Sequence, residues 1–398
     1  MIDILKSLKN KRNILIFSIA LLIIITSIIL INKIIFKKTP VKIGFVNTLT
    51  GSASTSTIKI RDIAVLAVEK INQEGGIKGR KIELIIKDDK FDPEEALRVD
   101  QELIDEGVIA IIGHSFSSLA LKVAPLINSS DIIMICPTVK SSELTGVDDN
   151  FLRLALPIDT DAKITAQIAS DKFGLKKMGF VYDLINQELS EPTLYYFKNE
   201  IERLGGEISA VIPFDSRREF FARNIAKKII QSEADGIYII ADAIHTALIC
   251  QHLKINNSKI KIIAHGWAFN DPIFINEGGN AVEGVISTYM TDMMLANEEY
   301  TAFEDEYKKR FGNQLSGAAQ LTYEALQILF DALSKTNDPK NLKDTILKQK
   351  SFNGIDGKIA FDKYGDPIRP LHIMEIQNGK ARNIGTIYNQ EPLNDEKQ

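Results

Sequence analysis

Residues 41–89 read VKIGFVNTLTGSASTSTIKIRDIAVLAVEKINQEGGIKGRKIELIIKDD, and this stretch decides the fold class. Val41–Val46 is a short apolar run of strand type. Ile60, Ile63, Ala64, Ala67, Val68 and Ile71 then recur at helical spacing, and Gly75-Gly76 ends that helix. Lys81–Lys87 is a second strand. A strand, a helix and a strand in this order form a βαβ unit, which requires a parallel sheet covered by helices.

The alternation continues. Asp92-Pro93 opens a helix through about Glu106, Ala110–Gly113 is a strand, Ser118–Ser129 a helix and Ile132–Cys136 a strand. After a connecting stretch the pattern restarts with a helix over Thr160–Phe173. Strands follow at Met178–Tyr182, Ile208–Pro213, Gly236–Ala241 and Lys261–His265, with helices at Pro192–Leu204, Phe220–Ser232 and Ile244–Leu253 between them. Two such runs predict two α/β lobes. Helices are predicted at Asn297–Phe311, Gly317–Lys335 and Pro339–Lys350, with strand-like pieces at Ile359–Phe361 and His372–Ile376. That leaves too little strand for a third sheet, so the last third must add to the two lobes.

The N-terminus differs. Ile14–Ile31 is apolar except for Ser18, Thr26 and Ser27. At helical rise these residues cover about 27 Å, close to the ~30 Å hydrocarbon core of a bilayer. No small-x-small cleavage site follows, and no cysteine offers a lipid attachment point. Residues 14–36 are therefore read as an uncleaved anchor, with residues 1–13 cytoplasmic and the rest extracytoplasmic (periplasm or cell surface).

Residues 1–38 hold seven Lys or Arg against one Asp, a balance of +6, while the whole chain stands at −4. The remainder is thus at −10, which argues against nucleic-acid binding. The two cysteines, Cys136 and Cys250, make neither a disulfide framework nor a metal site, and both fall in apolar patterns.

Ligands of an open parallel sheet bind beyond the C-terminal strand ends. The loops there are polar: residues 47–56, 113–118 and 137–142. Ser117 stands where an N-cap belongs. It can help hold a carboxylate at the helix start, or it can simply cap its own helix. Enzyme signatures are missing. Gly113-His114-Ser115-Phe116-Ser117 lacks the second glycine of a nucleophile elbow, there is no phosphate-binding G-x-x-x-x-G-K loop, and the five histidines form no H-E-x-x-H pair. No catalytic residue, cofactor or metal is expected. His245 and His252 read as surface residues, and Asp88-Asp89 as a solvated turn.

Taken together, Val41–Phe45, Asn72-Gln73-Glu74-Gly75-Gly76-Ile77-Lys78-Gly79-Arg80, Asp88–Pro93, Ile112-Gly113-His114 and Pro137-Thr138 resemble the leucine/isoleucine/valine-binding protein family over about residues 41–388. These are type I periplasmic binding proteins serving ABC importers. The resemblance implies two doubly wound parallel-sheet lobes joined by a three-segment hinge, here near Pro157, Thr288 and Gly365. Lobe I would hold 41–157 and 289–365, lobe II 158–288 and 366–390, with 391–398 a tail. The partners implied are a small amino-acid or carboxylate ligand and an ABC permease. The alternative is a membrane-tethered sensing module acting through a partner protein.

The family's ligand site carries over as follows. Ser117, preceded by Ser115 and Phe116, stands where a serine holds the ligand carboxylate, and Thr138 where a carbonyl accepts its ammonium. Lys140 replaces a threonine, Trp267 the acid that pairs with the ammonium, and Ser56, Leu189 and Asp242 replace cleft aromatics. A cation gained at Lys140 and an acid lost at Trp267 favour a carboxylate ligand, with Trp267 against its apolar body. The rival is an amino acid whose ammonium pairs with Asp242. Phe91 and Phe116 stand where some relatives have a disulfide, and the two rings are expected to touch.

Overall fold

A computed structural model describes residue 19 and residues 39–51, 54–269, 271–292, 295–312, 315–336 and 338–388, with the side chains of Thr55 and Ser56 excepted. The expected anchor at 14–36 lies, apart from Ile19, outside the described residues. Among the described residues no helix is long and apolar enough to cross a membrane.

The first run forms β1 (Val41–Asn47), α1 (Ser54–Gln73), β2 (Ile82–Asp88), α2 (Pro93–Asp105), β3 (Ala110–Ile112), α3 (Ser117–Asn128), β4 (Ile133–Cys136) and β5 (Phe151–Arg153). The strands pair in the order β2-β1-β3-β4-β5, all parallel. Alternate residues of β1 serve opposite faces, as strand geometry demands. Ile43 and Phe45 join one core with Ile60 and Ile63 of α1, while Val46 joins another with Val99 of α2 and Leu119 of α3. Gly44 lets α2 approach closely, since a Cβ there would lie 2.9 Å from Leu103 Cδ1. Gly76 ends the turn after α1 at φ 74°, and a Cβ would lie 2.0 Å from the Arg80 carbonyl oxygen. Asp92 caps α2 by accepting from Glu94 N–H (3.0 Å) and Glu95 N–H (2.8 Å).

The second run forms α4 (Ile158–Gln167), β6 (Lys177–Asp183), α5 (Gln187–Arg203), β7 (Glu207–Phe214), α6 (Ala222–Gln231), β8 (Gly236–Ile240), α7 (Ala243–Ile255), β9 (Lys261–Ala264), α8 (Gly266–Phe269), α9 (Pro272–Gly278) and β10 (Ile286–Tyr289). Helix α5 begins before Pro192 rather than at it, because a proline in the second turn forgoes only one backbone bond.

The last third adds α10 (Glu298–Phe311), α11 (Gly317–Lys335), α12 (Leu342–Leu347), β11 (Phe352–Asn353), β12 (Lys358–Phe361), β13 (Pro367–Ile368), β14 (Pro370–Gln377) and β15 (Lys380–Tyr388). Helices α10 and α11 pack into the first core through Tyr300, Phe303, Leu326 and Leu329.

Two expectations need correction. The second sheet, β15-β14-β10-β9-β8-β6-β7, is not wholly parallel, because β14 and β15 add antiparallel strands beside β10. Strands β11, β12 and β13 also form a small third sheet, where no third sheet was expected. These strands are short or half-buried, and neither kind carries a strong alternating pattern.

The chain passes between the two large sheets three times: after β5, after β10 and before β14. Side chains tie these passages together. Thr288 Oγ1 donates to Asp161 Oδ1 (3.0 Å), and Arg369 donates to both Glu324 Oε2 (2.7 Å) and the Met290 carbonyl (2.8 Å).

Asp89 is fully buried, so the solvated-turn reading fails for it. It accepts from Thr48 Oγ1 (2.5 Å) and faces His114 Nδ1 (2.8 Å), while Asp100 faces His114 Nε2 (3.1 Å). Burial pushes the His114 imidazole down, but the charges and hydrogen bonds of Asp100 and Asp89 outweigh it and hold it up at about 9. Nearby, the Phe91 and Phe116 rings touch as expected, with centroids 4.6 Å apart. Both cysteines are buried free thiols.

The His114 charge makes stability depend on pH. Its folded pKa exceeds the ordinary value of ~6.5, so its contribution is complete below ~6.5 and is lost as pH rises through about 9. Urea unfolding between pH 6 and 10 (roughly that window) should show this fall, and His114→Asn should flatten it. A double-mutant cycle of Phe91→Ala and Phe116→Ala should give a coupling of about 0.5–1.5 kcal/mol.

Candidate functional site

Both large sheets carry the same inner strand order, with the switch between β1 and β3 in one and between β6 and β8 in the other. Loops beyond the C-terminal strand ends of the two sheets meet around a cavity of about 130 Å³. Cavities of this class hold a benzene-sized molecule (an apolar one of ~150 Å³ does). The first sheet's side supplies Thr57, Ser115, Phe116, Ser117, Thr138 and Lys140. The second supplies Asn186, Leu189, His265, Trp267 and Asp271. Ile60, Ala155, Met290 and Leu321 add apolar wall.

Seven of the nine residues predicted from sequence meet here: Ser115, Phe116, Ser117, Thr138, Lys140, Leu189 and Trp267. The Ser56 side chain lies outside the described ones, although its neighbour Thr57 lines the cavity. Asp242 is not among the lining residues. It caps α7 instead, accepting from His245 N–H (2.9 Å), and pairs with His245 Nδ1 (2.5 Å). His245 is therefore a partly buried ion-pair partner rather than a plain surface residue.

Ser117 is the first residue of α3, not its N-cap. The cap position is Phe116, in extended backbone (φ −106°, ψ 134°), whose side chain offers no acceptor. The Ser117 hydroxyl, buried at the cavity wall, accepts from Lys140 N–H at 3.4 Å instead of folding back onto its own helix. The first N–H groups of α3 are thus left without a capping side chain at the cavity, and they carry the positive end of the helix dipole. Thr138 Oγ1 donates to the Ser115 carbonyl (3.0 Å) and locks the two loops together.

Lys140 changes meaning in the structure. Its Nζ lies 2.6 Å from Asp161 Oδ2, a buried acid of α4, and 3.3 Å from His265 Nε2. Burial is the largest single influence and would raise the Asp161 carboxyl, but the Lys140 charge, the neighbouring His265 and the hydrogen bonds from Lys140 and Thr288 together outweigh it, and the net direction is down. His265 is driven down to about 3 by burial and by Lys140, so it is a neutral ring. Its Nδ1 accepts from Trp267 N–H (3.1 Å). The acid at the opposite wall, Asp271, is likewise engaged, by Lys59 at 3.3 Å. The charged groups of the cleft therefore balance among themselves.

Asn186, His265, Asp271 and Thr57 were missed from sequence. Asn186 lines the cavity, and its Oδ1 is a buried acceptor with no partner among the described residues. The position of Asn186 and His265 just after β6 and β9 was the available signal. Asp161 carries no such signal, because it reaches Lys140 from a helix on a separate run.

Two like-ordered α/β sheets facing each other across a lined cavity define a two-lobed solute-binding protein. Residues 40–381 match the family model described as periplasmic binding protein. The chain belongs to this family, in its leucine-binding type I branch. It is 25% identical over 347 residues to the Leu/Ile/Val-binding protein homolog 1 of Brucella abortus, covering 84% of this chain and 89% of that protein. The leucine-binding protein of Thermotoga maritima is 25% identical with a TM-score of 0.77, covering 88% of this chain and 99% of its own. A solute-binding protein of an ABC transporter from Rhodopseudomonas palustris, solved with 3,4-dihydroxybenzoic acid, has the same fold at 23% identity. Its TM-score is 0.78, over 88% of this chain and 97% of its own.

Lys140→Met should destabilise the protein by about 3–5 kcal/mol, because it strands the buried Asp161 charge. Adding Asp161→Asn should restore part of the loss. Chemical denaturation of the wild type, both single variants and the double variant checks this.

Proposed function

We propose that this chain is an extracytoplasmic receptor that closes its two lobes on a small carboxylate with an apolar body and delivers it to an ABC permease. The observation that carries this reading is the uncapped start of α3 at the cavity, beside the buried Ser117 hydroxyl. In the proposal, the ligand carboxylate accepts from these N–H groups, and its body lies against Trp267, Leu189 and Met290. Lys140 contributes through its position rather than as a free cation, since Asp161 neutralises it.

An α-ammonium group needs a buried anion beside it, or its desolvation is uncompensated. The only acid at the cavity lining is Asp271 among the described residues, and Lys59 already holds it. This favours a carboxylate without an amine over an amino acid. Relatives of the fold have been solved with isoleucine and with benzoates, so both ligand classes are compatible with the scaffold.

Lobe closure would turn on the three passages near Pro157, Thr288 and Gly365, with lobe I at 41–157 and 289–365 and lobe II at 158–288 and 366–390. Residues 14–36 would hold the receptor at the membrane. Among the described residues that line the cavity no activated nucleophile stands beside a base, so the reading involves binding without a chemical step.

Titration calorimetry with benzoate, 4-hydroxybenzoate, leucine and valine tests the ligand class. Saturable binding of a benzoate is expected, weakened about 3–10-fold by Ser117→Ala through the loss of one hydrogen bond. Tight leucine or valine binding with no response to simple carboxylates would overturn it. Membrane fractionation of cells expressing the chain with and without residues 1–38 tests the anchor. The full chain should sediment with membranes and the shortened chain should be released.

A further inference from the structure

The second sheet carries a cluster that the cleft does not use. Asp183 ends β6, Asp242 caps α7, and His245 lies one turn into that helix. One carboxylate oxygen from each aspartate and one ring nitrogen of His245 lie within 4.8 Å of one another. Asp183 is fully buried. Its Oδ1 accepts from Ile185 N–H and Ser216 N–H, both at 3.1 Å, while its Oδ2 is buried with no partner among the described residues. A buried carboxylate oxygen left without a donor or cation is costly, and native proteins seldom keep one without cause.

We propose that Asp183, Asp242 and His245 form a binding site for a divalent transition-metal ion, at the C-terminal edge of the second sheet and outside the ligand cleft. Two carboxylates and one imidazole suit first-row ions such as Zn²⁺, which bind such donors at ~2.0–2.2 Å. Ligand atoms on one ion then lie about 3–3.5 Å apart, so small side-chain rotations close the set. Access is open, because the His245 and Asp242 side chains keep 23% and 35% of their surface exposed. Solvent would fill the remaining coordination positions. Phe220 holds the imidazole edge-on, with centroids 4.5 Å apart.

Among the described residues no cationic side chain forms an ion pair or hydrogen bond with Asp183. Arg217, whose charge interacts with Asp183, is bound by both oxygens of Asp215 (2.8 and 2.9 Å). A protonated His245 contacts Asp242 at 2.5 Å and its charge also interacts with Asp183, but no hydrogen bond joins it to Asp183. An ion would serve both carboxylates at once. It would also stiffen the turn Leu184–Asn186, which Asp183 caps and which carries Asn186 into the cleft.

The test is calorimetric titration of ZnCl₂ into the EDTA-treated full-length protein, with Co²⁺ absorption as a second readout. One saturable equivalent is expected, with a Co²⁺ spectrum of nitrogen and oxygen coordination. His245→Gln and Asp183→Asn should each weaken binding about tenfold or more. His252→Gln, on the same helix, should leave it unchanged. Circular dichroism checks that the Asp183 variant folds, and the partly exposed His245 supplies an arm independent of folding. The proposal falls if the wild type shows no saturable Zn²⁺ binding, or if binding survives both substitutions at full affinity.

Discussion

The His114 imidazole held between Asp89 and Asp100 is the constraint on which the binding edge of the first sheet depends. All three side chains are fully buried. They join the turn after β2, the middle of α2 and the loop after β3, and Asp89 also draws in Thr48 from the loop after β1. Burying an ionic triad does not by itself stabilise a protein, but breaking one strands a charge. The triad therefore holds the loop Ser115–Phe116 in one place, and with it the first turn of α3. The Phe91–Phe116 contact adds an apolar clasp to the same loop.

The cleft follows a second rule: its charges are paired before any ligand arrives. Lys140 meets Asp161, Asp271 meets Lys59, and His265 is neutral. What remains unanswered is polar but uncharged: the N–H groups at the start of α3 and the Asn186 side-chain oxygen. Such a cleft discriminates by dipoles and shape. In the proposed reading it takes an anion at the helix start and an apolar body beyond it, since among the described lining residues no acid is left unpaired for an ammonium group.

Much of the fold was legible because βαβ alternation leaves a strong mark. Buried strands such as Val41–Asn47 are nearly continuous apolar runs, and glycine pairs such as Gly75-Gly76 punctuate them. Strands β5, β10 and β15 escaped notice because they are short or half-buried, and their pairing is decided by distant partners. The candidate site was legible where it is local. Ser115, Phe116 and Thr138 sit in loops directly after strands, and Ser117 opens the helix that follows, where the parallel-sheet rule places ligands. It was illegible where it depends on contacts across the chain. Nothing in the run around Lys140 announces Asp161, and nothing around Asp242 announces that the helix cap and His245 claim it. The Asp88-Asp89 pair misled for the same reason: Asp88 accepts from Lys90 N–H beside it but also from Leu49 N–H 39 positions away, and Asp89 is paired with a histidine 25 positions away.

The central claim is that the uncapped start of α3 receives the anionic end of the ligand. The most direct measurement is a crystal structure of the protein with the small molecule it retains through purification. The account predicts a carboxylate oxygen within hydrogen-bond distance of the first N–H groups of α3 and the Ser117 hydroxyl, with the Lys140–Asp161 pair intact. An ammonium group on Asp271 with Lys59 displaced, or a ligand seated away from α3 altogether, would contradict it.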